Sequence, residues 1–266
     1  MQKIPPKYLY HYTSISNLAL IVKNRTIKFS CLENLNDLNE GITSDLGKFG
    51  KYVFVSSWTK EARESIPLWS MYTPNMTGVR IKLPSNPFKS YGNVQIQGTR
   101  TFSGIFPNSI VPADEIVGKN YLVFPTSYKL TPIKYTEDVN LLQPKIRTEN
   151  DDKRVTYLLK LLGIHKTTAW KFELEWRYIL WILPSAPFDN NDINYDDKMV
   201  SALRGVGENV SMPFSHYFLS LREDTLENME IVIGPKCSDG DWATVKAIVE
   251  MYNPKATIKS STLKIR

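Results

Sequence analysis

Phe172-Glu173-Leu174-Glu175-Trp176-Arg177-Tyr178-Ile179-Leu180-Trp181 sets two carboxylates two residues apart at the head of an apolar, aromatic run. Its composition predicts a long strand over Trp170–Leu183, with Glu173 and Glu175 on one face. Like charges that close cost free energy unless solvated or paired, and Arg177 is next on the same face. The plain reading is a salt-bridged strand edge. The functional one is a carboxylate at a cleft rim, set to stabilise a developing cation.

Around this strand the chain reads as many short strands with few helices. Strands are expected at Tyr8–Tyr12, Thr26–Ser30, Tyr52–Trp58, Gly78–Leu83, His216–Leu221, Met229–Gly234 and Ala256–Lys264, with further short ones inside Val111–Tyr135. Helices are expected at Ile15–Lys23 behind a Thr13 or Ser14 cap, at Pro67–Tyr72, and at Asp239–Tyr252. Asp151–Leu162 reads as a helix with Val155, Leu158, Leu159 and Leu162 on one face. Pro184–Val210 is rich in Asn and Asp and reads as a long surface loop or insertion at 184–210. Helices that do not alternate with strands predict an α+β fold rather than a doubly wound sheet. No linker divides the chain, so residues 1–266 are expected to form one domain.

With 42% apolar residues over 266 positions the chain has enough material for a real core, and 23% charged residues is ordinary for a globular protein. No apolar run reaches the ~18–20 residues of a membrane span. Pro5 and Pro6 stand where a signal peptide would be helical. Cys31 and Cys237 cannot form a disulfide scaffold or a four-thiolate zinc site. A cytoplasmic protein without membrane or metal is the expectation. The formal net charge of +6 favours phosphate-bearing partners without requiring them. HExxH, CxxC, GxGxxG, Walker and GxSxG patterns are all absent.

Two more segments carry candidate chemistry. In Leu9-Tyr10-His11-Tyr12-Thr13 strand alternation places His11 with Leu9 and Thr13. His11 is either a core histidine bonded to a backbone carbonyl or a ligand-binding one. In Leu68-Trp69-Ser70-Met71-Tyr72-Thr73, Trp69 and Tyr72 share a helical face. Such stripes usually belong to a core, yet a flat ring beside the Ser70 hydroxyl also suits a planar carboxamide.

In this order the segments resemble the ADP-ribosyltransferase fold of the His–Tyr–Glu type, which includes the poly(ADP-ribose) polymerases. The matching blocks are His11-Tyr12-Thr13, Gly50–Val55, Ser70-Met71-Tyr72, Gly78–Leu83 and Glu175–Leu180. The chain is more similar still to a bacterial family of unknown function with a His-Tyr-Thr start that is grouped with this fold. Phe29–Asp37, Trp69–Tyr72, Glu173–Arg177, Ile233–Lys236 and Lys259–Lys264 match that family's motifs in order, over nearly the whole chain. Tyr12 stands where the wider type has Gly.

The resemblance implies split antiparallel sheets around a cleft for NAD, the donor substrate of a glycosyl transfer. His11 would bond the adenosine ribose, and backbone groups of Tyr12, with Thr13 beside them, would hold the carboxamide. Tyr72 would stack on nicotinamide, with Ser70 as a carboxamide partner and Trp69 as a second wall. Glu175 would bond the nicotinamide ribose and stabilise the oxocarbenium-like state. Glu173 would orient or deprotonate the acceptor.

The acceptor is not fixed by the resemblance. Gln143–Lys171 carries seven basic side chains, Lys145, Arg147, Lys153, Arg154, Lys160, Lys166 and Lys171, against three acidic ones, Glu149, Asp151 and Asp152. With Trp170 and His165 this segment favours a nucleic-acid acceptor, RNA or DNA. A toxin or phage-defence effector, restrained by an antitoxin, is the setting such an activity implies. Alternatives are protein ADP-ribosylation, NAD hydrolysis, and a non-catalytic nucleic-acid-binding or interaction module on the same fold.

Overall fold

The computed structural model describes residues 4–96, 104–116, 120–149, 151, 155–186 and 192–265. Its main element is a mixed nine-stranded sheet, with strands drawn from both ends of the chain. The strands are β1 (Tyr8–Thr13), β2 (Thr26–Cys31), β3 (Val53–Thr59), β4 (Val79–Pro84), β5 (Tyr121–Pro132), β6 (Glu175–Pro184), β7 (His216–Ser220), β8 (Glu230–Ile233) and β9 (Thr257–Ser260). The principal helices are α1 (Ile15–Asn24), α2 (Ile66–Tyr72), α3 (Tyr195–Gly207) and α4 (Asp239–Tyr252). The large mixed sheet with several helices is compatible with the α+β class expected from the sequence.

The sheet runs β7-β2-β3-β1-β4-β8-β9, and β6 joins it by pairing with β3 and β5. One edge of β3 pairs along its whole length with β6, from Val53↔Trp181 to Thr59↔Glu175. The other edge is shared. Thr59 pairs with Tyr10 of β1, while Val55 and Phe54 pair with Ser30 and Cys31 of β2. The sheet therefore forks along Ser56–Trp58, and the fork positions the site. Gly78 closes the turn into β4, where a Cβ would stand 2.3 Å from the Thr13 carbonyl oxygen. At Gly234, in the Ile233–Lys236 motif, a Cβ would stand 2.4 Å from the Met76 carbonyl oxygen, and the Gly234 N–H donates to Gly78 O.

Alternation along β6 separates two environments. Trp176, Tyr178, Leu180 and Ile182 enter the larger core with Leu9, Phe29 and Ile81. Ile179, on the opposite face, packs with Val53, Val55, Leu159 and Leu162. Glu175 and Arg177 share that second face by their spacing. The polypeptide that covers it brings the remaining charged groups of the site.

Three expectations are corrected. Asp151–Leu162 is not a helix: Val155–Tyr157 pairs with Arg147–Glu149, and Leu159–Leu161 is a single 3-10 turn. The β-branched and aromatic Val-Thr-Tyr run favours the strand pairing, and Leu159 and Leu162 reach the core without a helix. The strand does not begin at Trp170. Thr168–Glu173 is a 3-10 turn, and Leu174, at φ 46°, breaks the alternation before Glu175. Glu173 and Glu175 are thus not two positions of one strand. The segment 184–210 is not all loop. Helix α3 buries Tyr195, Met199 and Val206, whose i, i+4, i+11 spacing its acidic residues disguise. Residues 187–191 lie outside the described residues. Among the described residues no helix is long and apolar enough to cross a membrane.

Candidate active site

His11 sits at the fork. Its Nδ1 donates to the Ser57 carbonyl at 2.9 Å, a group with no strand to pair with on that edge. The ring lies 5.0 Å from Trp58, centroid to centroid. Burial lowers the imidazole pKa, opposed by the Ser57 bond, and Lys28 lowers it further. A neutral ring with its proton on Nδ1 presents Nε2 as an acceptor. The carbonyl-bonded histidine foreseen as the plainer reading is therefore realised, and it leaves one nitrogen for a hydroxyl donor.

Ser57 pairs with Arg177 across the β3–β6 ladder, and its hydroxyl helps hold the Glu175 carboxyl down. Glu175 is only 5% exposed. Arg177 Nε donates to Glu175 Oε1 at 2.6 Å and Nη2 to Oε2 at 3.1 Å. Lys166 Nζ donates to Glu175 Oε2 at 3.2 Å and to Glu173 Oε2 at 2.7 Å. Tyr72 donates its phenol to Glu173 Oε1. The backbone N–H of Glu175 donates to Tyr135 Oη at 2.9 Å.

Glu40 completes the group and was not foreseen. Its carboxylate takes a bidentate bond from Arg177, at 2.8 Å from Nη2 and a shorter contact from Nη1, and lies 3.6 Å from Lys166. Three carboxylates against two cations leave a formal surplus of one negative charge. The electrostatics follow. Burial alone would raise Glu175, but Arg177 and Lys166 outweigh it and hold the carboxyl down to about 2. Burial and then the charge of Glu175 push Glu173 up to about 7, against the pull of Lys166 and Tyr72. One carboxylate is a fixed anion and its neighbour a proton acceptor poised near neutrality, a division suited to acid–base work.

The other expected residues separate. Tyr12 is buried, its hydroxyl accepting from Ser65 N at 3.0 Å. Trp69 is fully buried, with its ring edge-on to Tyr12 at 4.8 Å, so it is a core residue and not a wall of an open pocket. Ser70, on the solvent side of α2, is exposed. Thr13 is buried and accepts from Asn17 Nδ2 at 3.0 Å. Tyr72, Glu173 and Glu175 come together through Lys166, while His11 sits across β3 on the Ser57 carbonyl and Trp58; Tyr12 and Trp69 pack with Tyr72.

A small, open recess adjoins the cluster on the side of Glu40 and Lys166, lined also by Asp37, Leu161 and His165. His11, Tyr72, Glu173 and Glu175 do not line it. Of the basic segment, Lys145, Arg147, Lys160 and Lys171 are exposed. Lys166 is not part of that surface, since the carboxylates hold it inside. Its Nζ lies 4.3 Å from the Trp170 ring centroid, and Phe172 is partly exposed beside Trp170. Lys153, Arg154 and Asp152 lie outside the described residues. Among the described residues no group of three or more His, Cys, Asp or Glu side chains is arranged to hold a metal ion.

Comparison of the chain with protein-family models, with curated proteins and with solved structures finds no match in any of the three.

Proposed function

We propose that the chain is an NAD-dependent ADP-ribosyltransferase that transfers ADP-ribose to a nucleic acid. One observation carries the reading. His11 bonds the Ser57 carbonyl on one edge of β3, and on the other edge Thr59 pairs with Glu175 and Ser57 with Arg177, which grips Glu175, with Tyr72 alongside on Glu173. The fork along β3 supports a split-sheet cleft of the His–Tyr–Glu type, built by residues 1–266 as one unit.

The chemistry is glycosyl transfer. The bond between the ribose C1′ and the nicotinamide nitrogen breaks, and its electron pair leaves with neutral nicotinamide. The ribose becomes oxocarbenium-like, and the anionic Glu175, held outside bulk water, lowers the energy of that cation. Nicotinamide leaves without a general acid. The acceptor nucleophile adds to C1′, and its proton passes to Glu173, whose raised pKa suits a base near neutral pH. His11 Nε2 accepts from a ribose hydroxyl. Stacking on Tyr72 and bonding of ribose to Glu175 require Tyr72 to leave Glu173 and Lys166 to draw back toward Trp170. The exposed Lys145, Arg147, Lys160 and Lys171, with Phe172, supply charge and an aromatic face for a nucleic acid. A cytoplasmic toxin or phage-defence effector with an antitoxin fits such an activity by analogy.

The pairing of both Glu175 oxygens favours a second reading, a structural ion cluster in a non-catalytic binding module. Incubation with labelled NAD and separate DNA, RNA and protein pools tests both. Label on DNA or RNA supports the proposal, and label on protein redirects the acceptor. Free ADP-ribose alone indicates hydrolysis. No nicotinamide release under any condition leaves the binding module.

A further inference from the structure

The loop that enters α2 is tied to the far end of the chain. Glu64, two residues before α2, accepts from Trp69 Nε1 at 3.1 Å and Ser261 Oγ at 2.5 Å through Oε2. Its Oε1 accepts from Thr262 N at 2.7 Å and Thr262 Oγ1 at 2.8 Å. Partial burial pushes this carboxyl up, but the bonds from Ser261, Thr262 and Trp69 outweigh it and hold it below its ordinary value. Leu263 then packs on the cluster of Tyr12, Leu68, Trp69 and Val232, where Tyr72 also rests. Ser261 N is itself fixed by the Ile233 carbonyl at 3.0 Å, directly beyond β9.

None of these groups touches Glu175 or Glu173. What they fix is α2. Seven residues make two turns, too few to hold a helix without tertiary support. The clamp pins Trp69 at its indole nitrogen, and Tyr72, one turn further on, delivers its phenol to Glu173. The Lys259–Lys264 motif, which the proposed chemistry leaves without a role, supplies the clamp.

We propose that Glu64, gripped by Ser261 and Thr262, is a positioning residue, and that the tail it holds is a strut setting α2 where Tyr72 meets the carboxylates. The inference rests on the reading of Tyr72 as the ring that receives nicotinamide.

The test compares the full chain with Glu64→Ala, with Glu64→Gln, and with a Ser261→Ala, Thr262→Val double variant that leaves Glu64 in place. It reads amide hydrogen exchange by segment, together with KM and kcat for NAD. Glu64→Ala is expected to speed exchange across 66–72 by about tenfold or more while β3 and β6 stay protected. KM for NAD rises about tenfold with kcat within about threefold, since ring placement is lost and Glu175 is not. The double variant moves in the same direction, and Glu64→Gln, which keeps one acceptor oxygen, falls between. Unchanged exchange in α2, equal loss of protection in every strand, or a fall in kcat alone overturns the proposal. If the wild-type chain releases no nicotinamide, the enzymatic reading fails by itself, and the exchange pattern still decides whether the tail fixes α2.

Discussion

Lys166 places one ammonium group between two carboxylates, 2.7 Å from Glu173 and 3.2 Å from Glu175. It comes from the short parallel pair of His165–Lys166 with Lys134–Tyr135, which lies over the face of β6 that carries Glu175 and Arg177. A second cation beside Arg177 explains how two buried acids coexist there. It does not neutralise the third acid, Glu40, so one proton is retained, and Glu173 is the group that keeps it.

That proton predicts a pH dependence of stability. Glu173 stays protonated in the folded chain up to about 7, whereas its ordinary value is 4.5. Between these values the native state binds more protons, so this group makes stability fall as pH rises. Glu175 acts oppositely, adding stability that is lost only as pH falls toward about 2. His11 and His165, both partly exposed but with pKa values that desolvation lowers, favour the fold as pH rises through the histidine range. The diagnostic is therefore a difference. Glu173→Gln is expected to gain on the wild type by about 1–3 kcal/mol from pH 5 to pH 8 in urea unfolding. A constant gap across that range counts against the assignment.

Tyr72 has a ring and a hydroxyl with separate duties. Tyr72→Phe keeps the ring and frees Glu173 from its donor. NAD affinity by calorimetry is expected to stay within about threefold, while Tyr72→Ala loses about tenfold. The lost phenol bond also raises Glu173 further in the free enzyme, so the pH at which kcat/KM reaches its plateau moves up in the Phe variant. Equal affinities for Phe and Ala would remove the stacking role.

Glu175→Gln keeps the shape of the side chain and removes the charge that meets the oxocarbenium ion. Single-turnover nicotinamide release is expected to slow by about 10²–10³-fold or more, with NAD binding largely retained. Full activity in this variant would end the mechanism even if transferase activity survived.

Glu40 tests the cluster as structure. Glu40→Ala leaves buried Arg177 with one carboxylate partner fewer and is expected to cost about 3–5 kcal/mol of stability. Glu33→Ala, at an exposed position nearby, is expected to change stability by less than about 0.5 kcal/mol. Chemical unfolding of both variants makes the comparison.

Strand content and the placement of His11, Tyr72 and Glu175 on β1, α2 and β6 are legible because they depend on local pattern: aromatic and β-branched runs, a Pro in the first turn of α2, and period-two alternation in β6. Glu40 and Lys166 are not. Glu40 lies in an Asn-rich stretch that reads as turns, and Lys166 in a segment that reads as surface charge. Their partners are set by how two loops cross β6, which no spacing encodes. The break at Leu174 is also tertiary in origin: a leucine at positive φ has no local signature, yet it turns Glu173 out of the strand and toward Tyr72. Helix α3 is a different case, since its apolar spacing was present and was outweighed by the Asn and Asp around it.

The exposed basic side chains carry the last prediction. Lys145, Arg147, Lys160 and Lys171 project to solvent from the segments before β6, whereas Lys166 is committed to the carboxylates. If the four contact phosphates, charge reversal at each weakens RNA or DNA binding and flattens its salt dependence by about 0.7–0.9 in the log–log slope for each phosphate no longer neutralised. Arg147 already pairs with Glu149 at 3.5 Å, so its reversal is expected to have the smallest effect. Transfer to nucleic acid falls with binding, while slow hydrolysis of NAD by water, which needs no docked acceptor, is unchanged. Salt titrations of the single variants measure the slopes. Unaltered slopes in all four variants would place the acceptor elsewhere on the surface and leave the charge of this segment as solvation alone.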